Sequence, residues 1–478
     1  MSIRKTVFDT AAMSSVNMLR LVTQFLAVPI LARLLSPADY GVVAMAMPFV
    51  LFAMIITDAG IGMSLVRTPA SERNVWSTCF WLSIGLGIVL AVIMILTAPI
   101  AAIVFDNKQL APVVMALSLI VFIQSLGAIS GAALQQKQQF KIMAAMDIVA
   151  TLVSIGLAVL VASKGGGVWA LVVQQLAYYA IRTALTIKCA PFRPEMVFDL
   201  HNVKEHLTFS RDILVMNIIG FFARSLDNLI IGKVLASAAT GIYSMAFQFA
   251  RLPFMLVTGP LQYVLYAKLA HHKDNKPAIR ATFLMLTRVL AIVVFPIMGM
   301  VAAAYHPLFN WLLSAKWAMS GKLFMLVAPA SALQAVTSLT ATIMLVFGHA
   351  NIRLKITIEF TLLWILALLI SVSFGLEWIG IAYSAAVLLY TPRSLMLSLP
   401  MIGCSFLSYC RTFITPFIVT MLCIVSFWQL QQFFLLGEIM QLIIAAILAM
   451  AGVAVSAWLQ RNVLMSELTS LPKLVPVQ

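Results

Sequence analysis

The sequence predicts an all-α integral membrane protein, and it does so through its composition, the spacing of its apolar runs and the placement of its basic residues. Of 478 residues, 62% are hydrophobic and 10% charged, with a mean hydropathy of +1.03. Soluble domains are roughly half apolar and about a quarter charged. A water-soluble fold of this length would lack the polar surface to cover itself, so the apolar excess faces lipid. Apolar runs long enough to cross a ~30 Å hydrocarbon core recur along the chain. About fourteen are expected, at residues 12–33, 41–66, 76–104, 110–134, 142–162, 168–188, 212–232, 240–266, 281–305, 323–347, 356–375, 378–399, 412–434 and 437–459. The eleventh and twelfth nearly merge around Gly375 and Trp378.

Lysine and arginine orient these runs. With the N-terminus inside, cytoplasmic segments hold 20 basic residues and the opposite loops hold six, Arg33, Lys108, Lys164, Lys233, Lys316 and Lys322. This positive-inside bias places both termini in the cytoplasm. It also accounts for the net charge of +15 without nucleic acid as a partner. Arg4 and Lys5 precede a first run longer than a signal-peptide core and without a small-residue cleavage site, so it reads as a retained helix.

Chemistry-bearing motifs are missing. Cys79, Cys189, Cys404, Cys410 and Cys423 are scattered and form neither a disulfide framework nor a metal pattern. The six histidines make no zinc-binding arrangement. Lys164-Gly165-Gly166-Gly167 lacks the ending of a phosphate-binding loop. No nucleophile–base or carboxylate pair stands in a loop. The expectation is a protein that is not an enzyme and needs no cofactor or metal.

The longest connection, from about Cys189 to Arg211, separates six runs from eight. Sliding the chain against itself by 200 residues pairs Asn17 with Asn217, Leu26 with Leu226, Ile30 with Ile230 and Leu35 with Leu235. Gly41 then meets Gly241, and Met45, Ala46 and Phe49 meet their like. An even number of helices per repeat leaves both copies in one orientation, a parallel repeat. The expected organisation is an N-lobe of six helices (1–190), a cytoplasmic linker (191–211) and a pseudo-symmetric six-helix C-lobe (212–400). Residues 401–478 add two C-terminal helices and a cytoplasmic tail.

Charges inside the runs point to a site. Arg20 lies mid-way along the first run, Arg224 and Asp227 within the seventh and Arg251 within the eighth. A central Arg or Asp costs roughly 2.5–3.5 kcal/mol in lipid, so such groups face protein or a water-filled cavity. Asn17, Arg20 and Gln24 share one helical face; Asn217, Arg224 and Asp227 or Asn228 repeat that stripe. Ser244, Gln248, Arg251, Thr258 and Gln262 make a third. Three central arginines exceed the single central carboxylate, so the cavity they line favours an anion. Asp58 and Arg288, nearer the cytoplasmic ends of their helices, are candidates for coupling or gating. Asp147, Arg182 and Glu359, nearer still, are expected as solvated boundary charges.

Local motifs resemble a known family. Arg33-Leu34-Leu35-Ser36-Pro37-Ala38-Asp39-Tyr40-Gly41 is similar to the R-L-L-[ST]-P-x-[DE]-[YF]-G signature of bacterial polysaccharide flippases. Asp58-Ala59-Gly60-Ile61-Gly62 resembles that family's D-x-G-[IL]-G element. Gly167-Val168-Trp169-Ala170-Leu171-Val172 and Ala133-Leu134-Gln135-Gln136-Lys137-Gln138-Gln139-Phe140 match its style. The resemblance is to Wzx-type lipid-linked oligosaccharide flippases of the multidrug/oligosaccharidyl-lipid/polysaccharide superfamily, in their colanic-acid-exporter-like branch. It covers about the first 280 residues well and the rest mainly by topology.

The resemblance implies a V-shaped pair of six-helix lobes in the bacterial inner membrane. Its substrate is an oligosaccharide repeat unit on undecaprenyl diphosphate, carried to the periplasmic leaflet by alternating access for exopolysaccharide or O-antigen synthesis. The partners expected are that lipid, the bilayer, and polysaccharide polymerase and export machinery. Alternatives are a multidrug or cation antiporter, or a peptidoglycan lipid-precursor flippase, of the same superfamily. A polysaccharide polymerase or ligase would need a larger external loop than residues 306–322 supply.

Overall fold

Each apolar run that lies within the described chain folds as helix, because only a helix satisfies its own backbone hydrogen bonds away from water. The computed structural model describes residue 25 and residues 27–58, 61–65, 72–199, 204–270, 275–434 and 437–470. Helices joined by short turns make up these residues, and no strand occurs among them. Eleven helices among the described residues are long and apolar enough to cross a membrane.

Contacts divide the chain into two units, Met1–Ser244 and Met245–Gln478. The first holds α1 (Pro37–Asp58), α2 (Arg73–Val104), α3 (Leu110–Gln136), α4 (Phe140–Ser163), α5 (Val168–Cys189) and most of α6 (Lys204–Ala250). Here α3 is the hub, packed against α1, α2 and α5, while α4 lies along α5. The core combines Val42, Met45 and Val50 of α1 with Val113, Leu117 and Val121 of α3 and Leu171 of α5. Polar residues concentrate on α5, including Gln174, Gln175, Tyr178, Tyr179 and Arg182, and it is absent from the eleven apolar spans.

The second unit holds α7 (Gly259–Ala270), α8 (Lys276–Ala303), α9 (Tyr305–Leu313), α10 (Ala318–Thr337) and α11 (Leu339–Val346). It continues with α12 (Ala350–Ser371), α13 (Leu376–Ser398), α14 (Phe406–Phe433), α15 (Glu438–Leu459) and α16 (Arg461–Ser470). Its hub is α8, against which α10, α14 and α15 pack. Buried residues surround α8 on all sides, as expected of a central helix. Half of its apolar stretch is buried, against 17% for α15. Ile439, Ile443, Ile447 and Met450 of α15 instead stand exposed. Apolar surface of that extent belongs in lipid.

Two junctions refine the expected helices. The eleventh and twelfth runs do not merge, since Val372–Phe374 tightens into a 3-10 turn and Gly375 takes a φ of 101°. Glycine enters that left-handed region at no steric cost. The seventh and eighth runs do join, as α6, but at Ala236 the backbone leaves the helical region (φ 66°, ψ −179°).

Candidate functional site

The first motif acts through its backbone. Ser36 caps α1, its Oγ accepting from the Asp39 amide at 3.2 Å, while Asp39 Oδ2 accepts from the Ser36 amide at 2.8 Å. This reciprocal capping box, with Pro37 in the first helical position, explains the Ser-Pro-x-Asp spacing. Asp39 also faces the Gly167–Val172 motif: a Cβ on Gly167 would lie 3.1 Å from Asp39 Oδ1. Two segments of the family-like pattern thus meet at one corner of the first unit.

Gly41 ends the motif where two backbones touch. A Cβ there would lie 1.6 Å from the Ser237 carbonyl oxygen, and one on Gly241 would lie 1.8 Å from the Pro37 carbonyl oxygen. Both pairs belong to the first unit, and the 200-residue shift converts one into the other. The contact is self-complementary, in the manner of a two-fold interface. Only glycine permits so close an approach.

Just beyond this crossing lies a buried polar cluster. Tyr243 Oη donates to Asp227 Oδ2 at 2.7 Å, and the Asn228 amide donates to Asp227 Oδ1 at 2.9 Å. Ser244 Oγ lies 3.2 Å from Asn228 Oδ1. Asp227 and Tyr243 retain 8% and 1% of their exposure. A buried carboxylate persists only when hydrogen-bonded in this way. Shifted by 200 residues, Asp227, Asn228, Tyr243 and Ser244 become Ala27, Val28, Val43 and Ala44. The cluster therefore breaks the symmetry that the glycines keep. Sequence reasoning found Asp227 and missed Tyr243.

Arg251 is exposed at a break in the eighth run. There α6 ends at Ala250, and Phe254–Thr258 forms a π-helical turn before α7 begins. Pro253 and Pro260 flank the π turn and remove two backbone donors; such π turns recur at functional positions in helices. Among the described residues Arg251 has no ion pair. Gln248 and Asn217 are half-buried and make no side-chain hydrogen bond among the described residues. Gln262, of the same stripe, donates to the Ser338 carbonyl at 2.8 Å. Asn17, Arg20 and Gln24 lie outside the described residues, and so does the side chain of Arg224.

The two coupling candidates have different surroundings. Asp58 is exposed at the end of α1, its Oδ1 at 3.7 Å from where a Gly62 Cβ would stand. Arg288 on α8 grips Glu467 on α16 with two contacts of 3.2 and 3.3 Å, and reaches Gln460 at 3.4 Å. This fork-to-fork pair holds the last described helix against the hub.

Charges expected to be solvated instead pair across helices. Asp147 on α4 accepts from Arg182 of α5 at 2.6 Å and from Tyr178 at 3.4 Å. In the second unit Glu359 on α12 accepts from Arg393 of α13 at 2.8 Å and from Tyr390 at 2.7 Å. Each carboxylate precedes its tyrosine by 31 residues and its arginine by 35 and 34. The same triad thus recurs on equivalent helices, which the uniform 200-residue shift misses because the offset has grown to about 212.

The chain as a whole is similar to known proteins. Residues 30–321 match the family described as "Polysaccharide biosynthesis protein". The teichuronic acid biosynthesis protein TuaB of Bacillus subtilis is 23% identical over 378 residues, 78% of each chain. The lipopolysaccharide biosynthesis protein WzxC of Escherichia coli is 23% identical over 433 residues, 88% of this chain and 87% of that one. Among solved structures, the lipid II flippase MurJ in an inward closed conformation superposes with a TM-score of 0.76 at 13% identity, covering 96% of this chain and 99% of that one. That likeness concerns the fold alone. With its family match spanning most of the chain, this protein belongs to the polysaccharide biosynthesis protein family.

Proposed function

We propose that the protein flips undecaprenyl-diphosphate-linked oligosaccharide repeat units from the cytoplasmic to the periplasmic leaflet of the bacterial inner membrane. The observation that carries this reading is the family match, joined to relatives whose names place them in teichuronic acid and lipopolysaccharide biosynthesis. The cargo is a membrane lipid with an anionic diphosphate, and it crosses without covalent change. Fourteen spans, both termini cytoplasmic, support it by alternating access: an N-lobe at 1–190, a linker at 191–211, a C-lobe at 212–400 and two further helices with a tail at 401–478. The recurring carboxylate–tyrosine–arginine triads favour such a repeat.

Arg20, Arg224 and Arg251 hold the diphosphate or acidic sugars, since a guanidinium grips phosphate oxygens in pairs. Asn17, Gln24, Asn217, Gln248 and Asp227, the last fixed by Tyr243, complete the substrate-binding lining of the cavity. The exposed Arg251 at a helix break supports this, because an arginine within an apolar run and with no carboxylate beside it among the described residues needs an anion or water. Asp58 serves coupling, and Arg288 serves gating through its hold on α16. The flipped unit passes to polymerase and export machinery.

The test is transbilayer movement of an undecaprenyl-diphosphate oligosaccharide in proteoliposomes. Wild type should flip it, and Arg20→Ala or Arg224→Ala should slow flipping at least tenfold while remaining folded. Efflux of an organic cation without flipping would establish the antiporter instead. Flipping of lipid II alone would establish the peptidoglycan-precursor reading.

A further inference from the structure

Outside the helix stripes the first unit carries a hollow of about 390 Å³. It opens where α2 begins and α3 and α5 end. Its walls hold three cations, Arg73, Lys137 and Arg193, against the single carboxylate of Glu195, with Trp76 and Phe192 as aromatic sides. Glu195 engages Arg73 at 3.3 Å. Arg193 spends one nitrogen on the Ile187 and Ala190 carbonyls at 2.9 and 3.1 Å, closing the end of α5. Lys137 is exposed and has no carboxylate partner among the described residues.

The hollow is built, not incidental. Residues 191–199 are strapped across the start of α2: the Glu195 amide donates to Ser77 Oγ at 3.0 Å, Trp81 Nε1 to the Glu195 carbonyl at 2.9 Å, and the Asp199 amide to Thr78 Oγ1 at 3.0 Å. Phe192 seats against Trp76 and Phe80, with ring centres 5.9 and 6.1 Å apart. The strap thus presents its arginine from a fixed backbone, the condition for recognition without ordering cost. Cations at the ends of α3 and α5 also complement helix dipoles, which accounts for their sign but not for a concave, aromatic-walled setting. In the second unit the comparable cations are engaged. Lys276, at the start of α8, lies 6.0 Å from the Phe347 ring centre, and Arg280 donates to the Gly403 carbonyl at 2.9 Å.

We infer that this hollow is a phosphate-recognition site for a membrane lipid headgroup, distinct from the central arginines. A phosphate or diphosphate accepts from Lys137, Arg73 and the free edge of Arg193, and the aromatic walls border the acyl region. Its placement in the cytoplasmic leaflet rests on the orientation proposed above, whereas the binding itself needs neither orientation nor transport. The ligand is an acidic phospholipid, a prenyl diphosphate or free pyrophosphate, which share this chemistry.

The experiment measures binding to the full chain in phosphatidylcholine nanodiscs by thermophoresis. The probes are short-chain phosphatidylglycerol, farnesyl diphosphate and inorganic pyrophosphate, each tested separately. The double variant Arg73→Gln/Lys137→Gln should weaken the tightest probe at least tenfold. Lys108→Gln/Lys164→Gln removes the same charge at the other end of the unit and should stay within twofold. Arg73→Lys/Lys137→Arg should restore binding, separating charge from folding. The probe that binds names the source: phosphatidylglycerol a resident lipid, farnesyl diphosphate a prenyl-lipid headgroup, pyrophosphate alone a soluble anion and thus no lipid site. Equal loss in both glutamine doubles, or loss in neither, overturns the proposal. Because no flipping is measured, either result leaves the transport reading to its own test.

Discussion

Asp227 is held by Tyr243 from 16 residues away, so the hydroxyl should matter out of proportion to its size. Tyr243→Phe keeps the ring in its buried place and deletes one donor to a buried carboxylate. Stranding such a group costs about 1–3 kcal/mol, and thermal unfolding in detergent should show a clear drop in Tm. Unchanged Tm would mean that other groups suffice for Asp227. The asymmetry with Val43 adds a second readout, because Val43→Tyr has no carboxylate to meet at Ala27 and should not compensate. At this scale the sequence made the carboxylate visible and hid its partner. A charge in an apolar run stands out by its transfer cost alone. A tyrosine there reads as core or as part of an interfacial belt, and helical periodicity relates only residues three or four apart. Asp147 and Glu359 escaped for the same reason, since each finds its arginine on a different helix.

Helix positions were readable because a span needs length and apolarity, and both are one-dimensional properties. Helix breaks were less so. Pro253 and Pro260 stand in an apolar run where proline is tolerated, so the π turn at Phe254–Thr258 left only a weak trace. Gly41 and Gly241 were visible as a repeated pair, but their reason, a backbone contact between the start of α1 and the stretch of α6 just after its break at Ala236, needed three dimensions. That contact predicts a sharp contrast between glycines. Gly41→Ala puts a methyl 1.6 Å from the Ser237 carbonyl oxygen, and backbone must move to admit it. Gly85 of α2 meets nothing within 4 Å, so Gly85→Ala should be neutral, or stabilising by about 0.5–1 kcal/mol through helix propensity. Measured side by side, Gly41→Ala should lower Tm or flipping rate severely while Gly85→Ala changes neither for the worse. Equal tolerance would show that the crossing yields without cost. If Gly41→Ala keeps its Tm and loses flipping, the crossing is a working joint between the two repeats and not merely a packing contact.

For the whole molecule, the distribution of 20 basic residues against six is an argument about sidedness, which a fold alone does not supply. Everything directional in the proposed function depends on it: the leaflet from which cargo enters, the side on which the headgroup hollow lies, and the sense of transport. Cys189 offers a direct reading because it is exposed at the end of α5, while Cys79 and Cys404 are buried and Cys410 and Cys423 half-buried. A chain keeping Cys189 alone should react with an impermeant maleimide in inside-out vesicles and resist it in right-side-out spheroplasts. A cysteine-free chain carrying Lys164→Cys, from the other end of α5, should show the opposite pattern. Reversal of both would turn the molecule over, moving the hollow to the periplasmic leaflet and reversing the sense in which the cationic stripes first meet their anion. Labelling of both positions from one side would remove α5 from the spans, and with it the even helix number that makes the repeat parallel. The expected pattern fixes the polar α5 as a crossing helix despite its glutamines and arginine. It would follow that its arginine is sheltered by a neighbouring helix and not by lipid, in keeping with its packing against α3 and α4 and with the Asp147–Arg182 pair.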